Sequence, residues 1–335
     1  MPLKVLGYLK ILFVWFINQL SVGTGFAGSD CLRYGNDSVK LYEVLSMKIM
    51  TLNTHSLIEE QYLQKLELFV NRVAQEKPDV IAMQEVNQPA GGPLENLEKF
   101  PGLVLCKENE IPLRKGNHAA LVAARLQEKG IPYYWTWLPI KLGYGKYDEG
   151  MAIFSRYPIM ETDVCCISSF EDYRNWRTRK ILGVQIKNSK RSWFYTVHMG
   201  WWNDKEEPFL AQWNRLEEHL RFRKKTNPVW LLGDFNSPAE VRGEGYDCIR
   251  KSGWKDTYLL AKEKDSGITV KGVIDGWREQ LEAELTALEG MRIDQIWCSQ
   301  EEPVLSSRVV FNGSNGAVVS DHYGVMIQTE GDKTK

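Results

Sequence analysis

The chain has 335 residues, with 42 Lys and Arg against 43 Asp and Glu, and a net charge of −1. At 43% hydrophobic and 25% charged it has globular composition and enough length for a sizeable core, which excludes disordered, collagen-like and multi-spanning membrane classes. The neutral balance argues against binding by nonspecific attraction to phosphate backbones, leaving room only for a local basic groove.

Residues 1–28 carry Lys4 and Lys10, no acidic side chain, and an apolar run from Ile11 to Ile17. That is the pattern of a signal peptide, with small residues at Ala27 and Gly28, and the run is short for a membrane span. The same residues fit an upstream start, with Met47 as the initiator, because strand character begins at Met47. Residues 1–46 are therefore expected to be a leader outside the fold, 47–330 one catalytic domain, and 331–335 a polar tail. Six cysteines stand without CxxC pairs or metal-finger spacing, so neither a zinc finger nor a disulfide scaffold is expected, and a reducing compartment fits best.

In chain order, 48–53 read as a strand and Glu59–Gln75 as a helix burying Leu63, Leu66, Val70 and Val73. Lys77-Pro78 stops it. Asp79–Gln84 is the short apolar run of a fully buried strand. A helix over Ala119–Glu128 and an aromatic strand over Tyr133–Trp137 follow. Further strands are predicted at Gly150–Phe154, Ile181–Ile186, Ser192–Val197 and Val229–Leu232. Pro208 opens a helix that buries Phe209, Trp213, Leu216 and Leu220. Strands at Ile293–Cys298 and Val325–Gln328 close a single layered α/β domain.

Polar residues collect where the apolar runs end: Asn53, Glu85, His198, Asp234, Asn236, Asp294, Asp321 and His322. Singly, each has an ordinary reading: Asn53 as a turn residue, His198 as a core histidine, Gly233-Asp-Phe-Asn236 as an Asx turn, Ser320-Asp-His322 as a cap. Glu85 is harder to dismiss, since an unpaired carboxylate at a core boundary is costly. Together, four carboxylates and two histidines without cysteine suit a hard, oxygen-liking cation such as Mg²⁺. The histidines supply groups that titrate near neutrality.

The ordered series Thr51-Leu-Asn53, Ile81-Ala-Met-Gln-Glu85, Gly150-Met-Ala-Ile-Phe-Ser155, Val197-His198, Leu232-Gly-Asp-Phe-Asn236, Arg292-Ile-Asp294 and Ser320-Asp-His322 resembles the endonuclease/exonuclease/phosphatase superfamily over about 47–330. The resemblance implies a four-layer α/β/β/α sandwich, with two packed mixed sheets flanked by helices. It implies in-line attack of water on phosphorus without a covalent intermediate. Glu85 matches the principal Mg²⁺ ligand, with Asn53 completing or supporting the site and Asp321 a further metal-side carboxylate; Mn²⁺ is the expected substitute. Asp234 matches the residue that orients or deprotonates water, and Asn236 a phosphate-binding amide. His322 matches the histidine at the scissile phosphate, Asp294 its orienting carboxylate, and His198 a general acid or phosphate stabiliser.

For substrate, the informative segments are Tyr133-Tyr-Trp-Thr-Trp137, Gly143–Gly150 with Glu149, Gly200-Trp201-Trp202-Asn-Asp204 and Ile274-Asp-Gly-Trp277. Aromatic rings beside Asn, Asp and Glu stack on sugar faces, and equally on bases. Trp201 and Trp202, directly after His198, are expected to line the mouth. Arg177 and Arg179 alternate on a predicted strand and so face the same way, suiting either phosphate or salt bridges on an exposed strand. Asn117 and His118 either contact ligand hydroxyls or cap a helix. This combination is similar to the bacterial branch containing maltose 6′-phosphate phosphatase. It implies a cytoplasmic enzyme acting on a small phosphorylated sugar, with nucleic acid not favoured and no stable membrane association. The rivals are a nuclease, a secreted sphingomyelinase-type phosphodiesterase, which would make residues 1–28 a genuine signal peptide, and a nonenzymatic binding module.

Overall fold

The strand β1 (Lys48–Asn53) is buried along nearly its whole length, as befits a strand covered on both faces. A computed structural model describes residues 46–271 and 290–331. The expected leader up to residue 45, the segment Ile274–Trp277 and residues 332–335 lie outside the described residues. Met47 is tied to the strand at the chain's other end, its backbone N–H donating to Thr329 Oγ1 at 3.0 Å.

One sheet has seven strands in the order β10-β12-β13-β1-β2-β4-β3, where β2 is Val80–Pro89, β3 Tyr134–Gly143, β4 Tyr147–Ser155, β10 Glu263–Lys264, β12 Val304–Val310 and β13 Gly324–Thr329. The other has six in the order β5-β6-β7-β8-β11-β9, with β5 Ile159–Cys166, β6 Lys180–Ile186, β7 Trp193–His198, β8 Val229–Asp234, β9 Lys255–Asp256 and β11 Asp294–Cys298. Both are mixed: β1 runs parallel to β2 and antiparallel to β13, and β8 runs parallel to β7 and antiparallel to β11.

Three apolar seams bind four layers. Between the sheets lie Ile49, Val80, Ala82 and Ile153 against Leu182, Val184, Phe194, Leu232 and Ile296. Outside the seven-stranded sheet pack α1 (Tyr62–Glu76) and α2 (His118–Glu128); outside the six-stranded one pack α3 (Phe209–Leu220) and α5 (Gly245–Lys251). Two short helices, α4 (Arg223–Thr226) and α6 (Thr257–Leu260), complete the set among the described residues. Each fully buried Leu, Val or Phe in these seams contributes about 1.5–3 kcal/mol. Among the described residues, no helix is long and apolar enough to cross a membrane. The expected α/β/β/α sandwich is the observed architecture.

Several elements differ from expectation. Helix α1 starts at Tyr62, not Glu59, and buries Leu66, Phe69, Val70 and Val73, while Leu63 is 65% exposed. The shift follows from Gln61, whose left-handed backbone (φ 55°) prevents an earlier start. β3 and β4 run well past the aromatic core of the pattern, forming a long hairpin. β5, β12 and α5 were not anticipated, because polar residues interrupt their apolar ones, buried serines in the case of β12.

Candidate active site

The register of three neighbouring strands sets out the site. In the six-stranded sheet His198 pairs with Asp234, and Asp234 with Asp294, so three chemistry-bearing side chains stand in a row across β7, β8 and β11. Directly paired residues share a face. Gly233, just before Asp234, lets β7 and β8 approach this closely: its φ is 148°, and a Cβ there would sit 2.0 Å from the carbonyl oxygen of Val197.

The loop before β13 brings His322 onto this row. Ser320 Oγ donates to the carbonyl of Asn53 at 2.8 Å and accepts the His322 N–H at 3.2 Å, tying the loop to the end of β1. The His322 Nδ1–H donates to Asp294 Oδ2 at 2.9 Å, and Nε2 lies 3.8 Å from Asp234 Oδ2. Burial opposes protonation of His322, but Asp294, then Asp234 and Asp321, outweigh it and hold the imidazolium well above its usual range. His198 is driven the opposite way. Burial, then the cations Arg179, Lys141 and His322, hold it well below the usual value, so it is a neutral ring 3.7 Å from Asp234. Burial, reinforced by Asp294, raises Asp234 to about 7 against the opposing pull of His322 and of hydrogen bonds from Asn236 and Asn53. A carboxyl that titrates near neutrality suits proton transfer with water.

Glu85 reaches the same space through an irregularity. The β2–β4 register shifts between Met83 and Val86, and Glu85 has φ 52°. This bulge sends Gln84 into the interlayer, where its Nε2 donates to Thr51 and Thr196, and frees Glu85 for the cleft. Asn53 bridges the two sheets: its Nδ2 donates to Glu85 Oε1 at 2.9 Å and to Asp234 Oδ2 at 3.2 Å. Asp321 lies beside His55 and Glu59, the ligand atoms of all three within 4.8 Å of one another. The His55 Nδ1 is 2.8 Å from Glu59. Burial disfavours the cationic form of His55, but Glu59, Asp321 and Glu85 raise its pKa to about 9.

Burial and the nearby charges of Glu149 and Asp321 raise the pKa of Glu85. A cation would relieve the crowding at Glu85, and the side-chain oxygens of Glu85 and Asn53 are of the hard type that a divalent ion takes, whereas the close ligand atoms around Asp321 are those of His55 and Glu59. Asp234, Asp294 and His322 form a second set of close ligand atoms.

A cleft of about 220 Å³ opens over this floor, lined by Glu85, His198, Asp234, Asn236 and His322 on one side. Lys141, Tyr144, Glu149, Trp176, Arg179 and Trp201 line the rest. Of the residues expected to bind substrate, Glu149, Arg179 and Trp201 are therefore present. The Asn236 Nδ2 donates to the carbonyl of Met199 at 2.9 Å, which fixes the amide at the rim of β8.

Four expectations are corrected. Asn117 caps α2, accepting the Ala120 N–H at 3.1 Å, and its Nδ2 donates to Gln88. His118 is buried against Tyr62, with Nδ1 3.0 Å from the hydroxyl; burial lowers its pKa to about 3, and it does not line the cleft. Trp202 turns away from the mouth and packs on Phe209, ring centroids 6.1 Å apart. Arg177 and Arg179 do not share a strand face, because β6 begins only at Lys180 and both sit in the preceding turns. Arg177 donates to Asp204 at 2.9 Å and pairs with Glu206 at the rim.

Sequence reasoning missed His55, Glu59, Lys141 and Trp176. Lys141 had a visible signal, a lone cation in the apolar run Leu138-Pro-Ile-Lys-Leu142. His55 and Glu59 lay just past a strand end that was marked only at Asn53.

Two packed mixed sheets with acidic and histidine side chains converging at one end define a phosphoesterase-type α/β sandwich. The family model described as Endonuclease/Exonuclease/phosphatase family matches residues 50–322, and the chain belongs to that family. Members of this family are hydrolases acting on phosphate esters, generally with a divalent metal. A solved endonuclease/exonuclease/phosphatase family protein from Leptotrichia buccalis C-1013-b is 31% identical, covering 85% of this chain and 99% of that one, with a TM-score of 0.71. A mannosyl-6-phosphatase of Bacteroides thetaiotaomicron VPI-5482 (18% identity, 85% and 99% coverage, TM-score 0.52) shares the fold. So does a 3′ phosphatase from Neisseria, solved with a product DNA hairpin (19% identity, 85% and 99% coverage, TM-score 0.53). No curated protein matches the chain.

Proposed function

We propose that the protein is a divalent-metal-dependent phosphomonoesterase that releases phosphate from a small phosphorylated sugar by direct attack of water. The row His198–Asp234–Asp294 with His322 above it carries the reading. His322, kept cationic by Asp294, faces a phosphate oxygen and stabilises charge that grows on it. Asp234 orients the attacking water and takes its proton. His198, a neutral ring, donates or accepts a hydrogen bond at the leaving oxygen. Glu85 and Asp321, supported by Asn53, would hold the cation, Mg²⁺ with Mn²⁺ as substitute. The bound ion supplies Lewis-acid charge neutralisation at the phosphate.

The sugar follows from the walls. Trp176 and Trp201 lie with ring centroids 5.7 Å apart at the mouth, and Trp176 is 46% exposed. These faces suit a pyranose ring, and Glu149 suits its hydroxyls. The cleft's volume of about 220 Å³ suits a small molecule better than a polymer, so nucleic acid and stable membrane association are disfavoured, and a cytoplasmic setting fits a sugar phosphate.

The test is phosphate release with Mg²⁺ from maltose 6′-phosphate, mannose 6-phosphate, a 3′-phosphorylated DNA and sphingomyelin, with Asp234→Asn as control. Release from sugar phosphates that Asp234→Asn abolishes supports the reading. Cleavage of DNA or lipid with inert sugar phosphates overturns the substrate and leaves the chemistry. The maltose and mannose esters together separate disaccharide from monosaccharide preference.

A further inference from the structure

Arg179 is 4% exposed and lines the cleft, yet its hydrogen bonds go only to backbone carbonyls, Trp176 at 2.9 Å and Thr178 at 3.2 Å. Its Nε is buried without a partner, and among the described residues it makes no ion pair. A guanidinium stays charged, and an unpaired one removed from water is costly. Beside it Lys141, equally buried, pairs with Glu149 at 3.1 Å, its direct register partner across β3 and β4. This wall therefore holds two cations and one carboxylate in direct contact, while Asp234, Glu85 and Asp204 act on Arg179 from further off without an ion pair. The indole Nε1 of Trp201 is a further buried donor without an acceptor. Every unmet group here is a donor, so the complementary ligand is an acceptor-rich anion.

We propose that Arg179, backed by Lys141, receives the second negative charge of a terminal phosphate and thereby selects monoesters over diesters. The inference rests on the phosphoesterase reading and names its specificity determinant. A phosphate monoester carries close to two negative charges near neutral pH and three non-bridging oxygens. A diester carries one charge and two such oxygens. On the catalytic wall the cationic His322 meets the charge common to both esters; the wall of Arg179 and Lys141 meets the charge that only the monoester has. The planar fork of Arg179 matches two phosphate oxygens at once, and its carbonyl anchors hold that fork in place before the ligand arrives.

The experiment compares the full chain with Arg179→Met and Arg179→Lys in Mg²⁺. Initial rates are measured on p-nitrophenyl phosphate and bis(p-nitrophenyl) phosphate, and inorganic phosphate is titrated calorimetrically. The ratio of kcat/KM for monoester over diester is expected to fall about 10- to 100-fold in Arg179→Met, with a matching loss of phosphate affinity. Arg179→Lys keeps the charge without the fork and recovers part of the ratio. The thermal midpoint of Arg179→Met stays level or rises, because an unpaired buried charge is gone; a structural role for Arg179 would lower it. Should Arg179→Met fail to fold, Arg179→Lys against wild type carries the same comparison with a smaller expected drop.

Equal losses on both esters, or unchanged phosphate affinity, overturn the inference. If the wild type turns over neither ester but loses phosphate binding with Arg179, the phosphoesterase reading falls and the anion site stands.

Discussion

The Nδ1 of His322 lies 2.9 Å from Oδ2 of Asp294, and both side chains are buried where β11 meets the loop before β13. The other carboxylate oxygen of Asp294 is buried without a partner, so His322 is the hydrogen-bonded recipient of that charge. The contact fixes which ring nitrogen points at Asp234 and keeps the ring cationic.

Asp294→Asn keeps the volume and removes the charge. The pKa of His322 is then expected to drop toward its usual range, read by imidazole NMR. kcat is expected to fall by about two to four orders of magnitude, the span that a positioned acid–base group contributes. An unchanged kcat with a lowered His322 pKa would separate that charge from the reaction.

Metal dependence turns on Glu85. Chelation is expected to abolish phosphate release, and Mg²⁺ or Mn²⁺ to restore it. Glu85→Gln, which keeps the hydrogen-bonding shape beside Asn53, is expected to weaken Mg²⁺ binding in calorimetry while the fold persists by circular dichroism. Relieving a buried carboxylate crowded by Glu149 and Asp321 should leave the metal-free protein at least as stable. Undiminished Mg²⁺ binding in this variant would place the ion elsewhere.

Asn117 and His118 are predicted to matter for stability and not for substrate. Asn117→Ala loses the N-cap of α2 and is expected to cost about 1 kcal/mol. KM for the best substrate should not move. A raised KM without a change in thermal midpoint would return these residues to the binding site.

His219 gives a pH signature outside the site. Its Nε2 hydrogen-bonds Asp163, which also takes Arg223 and Tyr195, and this contact raises its pKa from 6.5 to about 9 against burial. A group with a raised folded pKa stabilises fully below the unfolded value and loses that stabilisation as pH rises through the folded one. The thermal midpoint is therefore expected to decline between about pH 6.5 and 9, with a His219 share below about 1 kcal/mol because water reaches and screens this partly exposed pair. His219→Gln should flatten that part of the curve. His55 titrates in the same range, so the difference between wild type and variant is the relevant quantity.

Much of the floor of the candidate site was legible because its residues stand at the ends of apolar runs. His198 and Asp234 close buried strands and Asp294 opens one, so each stands at a strand end where a polar side chain leaves the core. The bulge at Glu85 was not legible: an extra residue in one strand is defined by its partner strand, and β4 lies more than sixty residues on. Arg177 and Arg179 show the converse error, strand alternation applied to a turn, where neighbouring odd positions diverge. Trp201 and Trp202 diverge for the same reason, one facing the cleft and the other Phe209. His118 resembled a ligand in sequence because its partner Tyr62 is 56 residues away.

The central claim is that this cleft hydrolyses phosphate esters with a divalent ion, through Asp234. The most direct measurement is inorganic phosphate release from maltose 6′-phosphate by wild type and Asp234→Asn, each with Mg²⁺ and with chelator. The account predicts release only by wild type with Mg²⁺. Equal release by Asp234→Asn, or release that survives chelation, would contradict it.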